Sequence, residues 1–129
     1  MISPATRATV RHRAGDRCEY CRLPQAAEPD ARFHIEHIVA RQHGGTDDET
    51  NLALACHRCN RHKGPNLSGI DTISDHATLL FHPRRENWEV HFRIEQSEVV
   101  GLTATGRTTI ALLQMNAPVR VELRRWMTG

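Results

Sequence analysis

HIEHIVARQHGGTDDETNLALACHRCNRHK, residues 34–63, is the stretch whose reading decides the fold. Phe33 to Val39 is rich in β-branched residues and reads as a strand. Arg41 to Thr50 holds Gly44-Gly45 and three consecutive acids, so it reads as a turn-rich loop. Asn51 to Ala55 reads as a second short strand. A helix is expected from about His57 to Lys63, stopped by Gly64-Pro65. The order strand, loop, strand, helix fits into about thirty residues.

Working outward, the second strand runs into Cys56-x-x-Cys59, and a matching pair, Cys18-x-x-Cys21, lies upstream across 34 residues. Two thiolates three positions apart reach one ion across a tight turn. Four of them match a closed tetrahedral zinc site with Zn–S near ~2.3 Å. Four unrelated buried thiols, or a redox pair, fit the repeated spacing less well. With four sulfurs filling its shell, the zinc is structural.

Before the first pair, Ser3, Pro4 and Gly15 frame a short basic helix over 4–15. Residues 25–32 and 66–74 read as loops, and 77–81 as a short apolar segment. Trp88, Val90, Phe92 and Ile94 alternate with polar residues, which predicts a half-buried strand. Gln96-Ser97 would turn it into a partner strand over 98–102. A helix is expected near 107–115. A last one starts at Asn116-Ala-Pro118, with Val119, Leu123 and Trp126 sharing one face.

The 129 residues suffice for one domain with a modest core, 39% apolar and 25% charged. We therefore expect a single domain over 1–129, its core at about 15–65 and an extension over about 66–129. No apolar leader follows Met1, and no run approaches the roughly 18 apolar residues of a membrane span. The expectation is a cytoplasmic protein with no membrane partner, whose cysteines meet a reducing environment that favours metal over disulfide. The net charge of +2 says little about partners. Arg7, Arg11, Arg13, Arg17 and Arg22 crowd the first 22 residues. By pattern alone they read as solvated helix faces rather than phosphate contacts.

Chemistry is expected inside the segment between the cysteine pairs and just after it. Glu36 offers a carboxylate to a hard divalent cation. His37, pointing the other way on a strand, is a candidate general base. Asn60 offers a second oxygen ligand beside Cys59. Asn51 can hydrogen-bond across the base of the loop and fix the backbone around His37. Lys63, one turn after Asn60, could touch a phosphate, and Arg58 and Arg61 crowd the same helix. His34 and His57 are possible neighbours of the site, whereas Trp88 and Trp126 read as packing residues.

Glu36-His37, Asn51-Leu52 and Cys56-x-x-Cys59-Asn60-x-x-Lys63, preceded by Cys18-x-x-Cys21, resemble the HNH endonuclease family, in its branch with four zinc-binding cysteines. The resemblance covers about residues 18–65. It implies an α+β fold with a ββα-metal (His-Me finger) core stapled by a four-cysteine zinc site; with the residues downstream, that core carries a C-terminal β-hairpin and two-helix extension. Carried over by position, His37 is the general base, Asn51 the middle Asn, and Asn60 stands where the family has His or Asn. Glu36 occupies a position more often Asp. The implied reaction is hydrolysis of a phosphodiester in DNA (or RNA), assisted by Mg²⁺ or another divalent ion. It leaves 3′-hydroxyl and 5′-phosphate ends. Arg58, Arg61 and Lys63 are the implied nucleic-acid contacts. A compact domain with no separate recognition module suggests low specificity or a partner protein. Two competing readings are a zinc-dependent nucleic-acid-binding module without catalysis and, last, a protein-interaction zinc domain.

Overall fold

In the computed structural model, which describes residues 1–128, the chain forms two compact units, Met1–Pro65 and Asn66 onward. The first opens with helix α1, Pro4–Ala14. Ser3 Oγ accepts from the Thr6 amide at 3.1 Å. Gly15 closes the helix in the left-handed conformation, its N–H bonding the Arg11 and His12 carbonyls. Both ends thus satisfy backbone groups the helix leaves open. Only Val10 of α1 is buried. The helix is held by its arginines instead: Arg11 donates to the Phe33 carbonyl at 2.6 Å and Arg13 to that of Leu52 at 2.8 Å.

Strands β1 (His34–His37) and β2 (Leu52–Ala55) pair antiparallel, with Glu36 opposite Ala53 and His37 opposite Leu52. Every residue of β2 is fully buried, and β2 touches both α1 and helix α2, His57–Lys63. A strand enclosed on both faces explains a Leu-Ala-Leu-Ala run in place of apolar–polar alternation. Cys56 caps α2 through its sulfur, which accepts the Cys59 N–H. Order and boundaries follow the sequence reading to within two residues. The 25–27 and 41–43 stretches of the expected loops form single 3₁₀ turns.

The second unit holds hairpin β3 (Ser68–Ile70) with β4 (Ala77–Leu79), a one-turn helix α3 (Trp88–His91), hairpin β5 (Phe92–Glu95) with β6 (Glu98–Gly101), and helices α4 (Ala104–Leu113) and α5 (Pro118–Thr128). Four expectations are corrected here. Part of the 66–74 loop is strand β3. Residues 88–91 are helical, so Val90 is 57% exposed, while Trp88 and Phe92, one turn apart, stack at 5.0 Å. Helix α4 starts at Ala104 rather than near Arg107, because Thr103 caps it through the Gly106 amide. At Gly106 a Cβ would lie 2.1 Å from the His91 carbonyl oxygen, so only glycine allows this approach.

The fourth correction concerns α5. Val119 and Trp126 are 47% and 78% exposed, while Arg120 and Arg124 are buried. Arg120 donates to the Leu113 carbonyl at the end of α4, and Arg124 to that of Ser97. The arginine stems supply apolar surface, and the guanidinium groups satisfy carbonyls that neither the helix end nor the turn bonds itself. Asp71, fully buried, takes a two-pronged ion pair from Arg107 at 2.9 Å.

Candidate functional site

The four cysteine sulfurs all lie within 4.8 Å of one another, fully buried. The first knuckle is a tight hairpin: the Cys18 amide bonds the Leu23 carbonyl, Arg17 bridges Pro24, and Arg22 takes a left-handed φ of 68°. The second is the start of α2. In both, the amide three residues on points at the first sulfur: Cys21 N to Cys18 Sγ at 3.5 Å, Cys59 N to Cys56 Sγ at 3.4 Å. Glu19 latches the hairpin to β2, its amide bonding the Leu54 carbonyl and its carboxylate accepting the Leu54 amide, each at 2.8 Å.

Cys21 and Cys56 sulfurs are 3.7 Å apart. Four sulfurs around zinc at ~2.3 Å stand roughly 3.8 Å from one another, so the Cys21–Cys56 separation matches an edge of a tetrahedral shell. Burial, then neighbouring thiols, pushes Cys18 and Cys59 well above the ordinary thiol range. Hydrogen bonding from Cys18 draws Cys56 below it. A dication is the charge that lets four such sulfurs share one cavity as thiolates. Cys18, Cys21, Cys56 and Cys59 fit zinc by number and softness, and four sulfurs would fill the shell of such an ion, leaving no open position for catalysis.

Asn51 ties the ends of the long β1–β2 loop together. Its Oδ1 accepts the Val39 amide at 2.9 Å, and its Nδ2 donates to the Val39 and Thr46 carbonyls at 3.0 and 2.8 Å. Gly45 belongs to the same knot: a Cβ there would lie 1.7 Å from the Val39 oxygen and 2.9 Å from Asn51 Nδ2. The knot holds His37 at the end of β1 with one-fifth of its side chain exposed, and its Nε2 meets Asp47 Oδ1 at 2.8 Å. Arg41 grips the same carboxylate at 2.8 and 3.1 Å, and the Met1 ammonium lies 3.1 Å away. The hydrogen bond with His37, then the ammonium and Arg41, holds Asp47 down to about 2.

Glu36 points to the opposite side of β1, as strand alternation requires. There it meets Lys63 Nζ at 2.8 Å and accepts the Tyr20 hydroxyl at 2.7 Å. Burial raises the Glu36 pKa, against Lys63 and Tyr20, which lower it. Lys63 is only 2% exposed and also donates to the Ile38 carbonyl. The phosphate contact expected of Lys63 is therefore corrected: its ammonium is spent inside the fold, between β1 and α2. Asn60, three residues earlier on the same helix face, is half-buried, and its side chain makes no hydrogen bond with a described residue.

Arg58 is ion-paired with Glu28 at 2.7 Å. Arg61 is exposed and makes no ion pair among the described residues. His34 and His57 approach to 3.4 Å at their ring nitrogens, while His43 is exposed beside Gly44. The structure thus brings Glu36, Tyr20 and Lys63 to one side of β1, and His37, Asp47 and Arg41 to the loop. Sequence reasoning missed Glu19, Tyr20, Arg41, Gly45 and Asp47. Asp47 stood in view among three acids after a Gly-Gly turn, but nothing local says which acid folds back on the histidine.

A family model described as HNH endonuclease matches residues 18–66. That span holds both cysteine pairs, the Asn51 knot, the His37–Asp47 contact and the Glu36–Lys63 pair. No curated protein and no solved structure matches the chain. No helix among the described residues is long and apolar enough to cross a membrane.

Proposed function

We propose that the chain hydrolyses phosphodiester bonds in DNA, with His37 as general base, a reading supported by the HNH endonuclease family model that matches residues 18–66. The carrying observation is the His37–Asp47 contact, held at a partly exposed position by the Asn51 knot. Asp47 on Nε2 orients the ring and balances the imidazolium charge, as a buried carboxylate does beside other catalytic histidines. Nδ1, which makes no hydrogen bond with a described residue, is then the nitrogen that takes the proton from water. The resulting hydroxide attacks phosphorus, the bond to the 3′ oxygen breaks, and 3′-hydroxyl and 5′-phosphate ends result.

The reading includes a hard divalent ion, Mg²⁺ or another, held through Asn60 and Glu36. Both are oxygen donors of the right kind, and Asn60 carries a side-chain amide without a partner among the described residues. Glu36 is engaged by Lys63 and Tyr20 on the side of β1 away from His37, so it can serve an ion at the phosphate beside His37 only by releasing Lys63 and turning across the strand. Such an ion supplies charge stabilisation at the crowded phosphate and the leaving oxygen. That engagement is also what favours the second reading, a zinc-stapled nucleic-acid-binding module with no catalysis.

Plasmid cleavage separates the two. Supercoiled DNA is incubated with Mg²⁺, Mn²⁺, Ni²⁺ or EDTA and either wild type or His37→Ala, with zinc content measured in both. Metal-dependent nicking that is lost in a His37→Ala protein retaining its zinc is the expected result. Activity surviving that substitution would reassign the base. No cleavage with any ion would leave the binding module.

A further inference from the structure

The first unit also carries a cleft of about 990 Å³ between α1 and the residues leading into β1. Its lining includes Arg7, Arg11, His12, Arg32 and His34, and Asp16 is the one carboxylate of that lining. Arg11 is used internally, donating to the Phe33 carbonyl, and it is the innermost of the three guanidinium groups. Burial first, then Arg32, with Arg7 adding and Asp16 opposing, holds its pKa below the ordinary arginine value. Three cations are therefore held close enough to feel one another. Arg7 and Arg32 are exposed and make no side-chain hydrogen bond or ion pair with a described residue. Three arginines gathered around a concavity with Asp16 as the one opposing charge in its lining leave an excess of positive charge that calls for an anion.

We propose that this cleft is a phosphodiester-backbone track that leads a nucleic-acid strand to His37. His34 and Ile35 of its lining belong to β1, and His37 stands two residues beyond Ile35 on the same strand. Two strand residues span roughly 6.8 Å, about two nucleotide rises of 3.4 Å along one strand. A backbone passing the Ile35 end of the cleft is therefore about two nucleotides from His37. Phe33 of the lining is buried and offers no face for a base, while the guanidinium groups suit phosphate forks. The track is therefore assigned to the backbone through Arg7 and Arg32, with the exposed rings of His12 and His34 beside it. The arginine-crowded helix α1, which by pattern alone reads as a solvated face, gains a use here. The inference rests on the nuclease reading only for the identity of His37; the track itself is tested by binding.

The test measures affinity for a short duplex and for one of its single strands over a range of salt, without added divalent ion. It compares wild type with Arg7→Ala/Arg32→Ala, both checked for zinc and melting temperature. Each lost phosphate contact lowers the slope of log K against log salt by about 0.9 on duplex or about 0.7 on single strand. The double variant is expected to lose two such steps on one of the two probes. Its hydrolysis of a small aryl phosphodiester, which needs no track, should stay at the wild-type rate, while its plasmid KM rises. Equal slopes, absence of wild-type binding, or equally tight wild-type binding of polyglutamate would overturn the track. A reduced slope in a protein that never cleaves plasmid would leave the track standing and remove the nuclease reading.

Discussion

The two units are held by different means. Met1–Pro65 places four sulfurs at its centre and hangs short elements on side-chain-to-backbone clamps: Arg11 on Phe33, Arg13 on Leu52, Glu19 on Leu54, Asn51 on Val39. The unit from Asn66 on is anchored by packed rings. Trp88, Phe92 and Phe81 meet at 5.0 and 5.3 Å, and α4 closes over the β5–β6 hairpin at Gly106 and Gly101. The lesson is about size. A stretch of some 65 residues buries little apolar surface and makes a marginal core, and four buried cysteines placed to bind one metal stand at its centre instead. The freed surface can then be polar and chemically useful.

The largest effect that could break this comparison is removal of zinc. Structural Zn²⁺ sites are worth about 10–16 kcal/mol of apparent binding energy, as much as a whole domain's stability. Chelation, or Cys59→Ser, should unfold Met1–Pro65 outright. The chain supplies its own reporters, because Trp88 and Trp126 belong to the second unit and Tyr20, the single tyrosine, to the first. Loss of helical circular dichroism with unchanged tryptophan emission is the expected signature. Parallel collapse of both signals would show that the second unit draws its stability from the first. Phe92→Ala is the converse, costing about 3–5 kcal/mol of the second unit as a large buried ring is lost. It should quench the ordered tryptophan signal while zinc content stays full, and loss of zinc in that variant would refute the division.

Within the first unit, Asn51→Ala should cost less in stability, about 1–3 kcal/mol in all, because the groups it leaves unpaired are part-buried or exposed and water can reach them. It frees the Val39 amide and the Val39 and Thr46 carbonyls at once. The expected result is a lowered melting temperature and loss of nicking with zinc retained. Nicking at the wild-type rate would mean the loop needs no such knot to present His37.

These clamps also explain how far the sequence could be read. The paired Cys-x-x-Cys spacing is a local signal with a single geometric solution, and the Asn51 bridge follows from an amide placed at the foot of a turn-rich loop. The ββα order was legible because each element is short and punctuated by glycine, proline or cysteine. What escaped depends on contacts distant in sequence. Tyr20 and Lys63 reach Glu36 from two other elements, which no spacing rule announces. Alternation over 88–94 looked like a strand, but period two over so few residues does not exclude one helical turn, and the Trp88–Phe92 stack decided for the turn. On α5 the apolar triad Val119, Leu123 and Trp126 outweighed the arginines in the pattern. The unbonded carbonyls of Leu113 and Ser97 outweighed the triad in the fold.

The smallest effect on stability, and the sharpest on function, is expected at Asp47. Its side chain is about one-third exposed, so at neutral pH Asp47→Asn should leave the melting temperature almost where it was. Nicking should nonetheless fall by about 10²-fold or more, the usual worth of a well-placed general base and its orienting partner. Acid titration adds a second reading. Contact with His37 first, then the ammonium and Arg41, depresses the Asp47 carboxyl to about 2, against an ordinary value of about 3.9 in an unfolded chain. A depressed folded pKa contributes stability that is fully present above the unfolded value and lost as pH falls through the folded one. Whatever small difference in melting separates wild type from Asp47→Asn above about pH 4 should therefore shrink as pH falls toward 2 and vanish below it. A difference that persists unchanged at that acidity would mean the carboxylate charge is not what Asp47 contributes. An Asp47→Asn protein that nicks at the wild-type rate would separate His37 from its partner altogether.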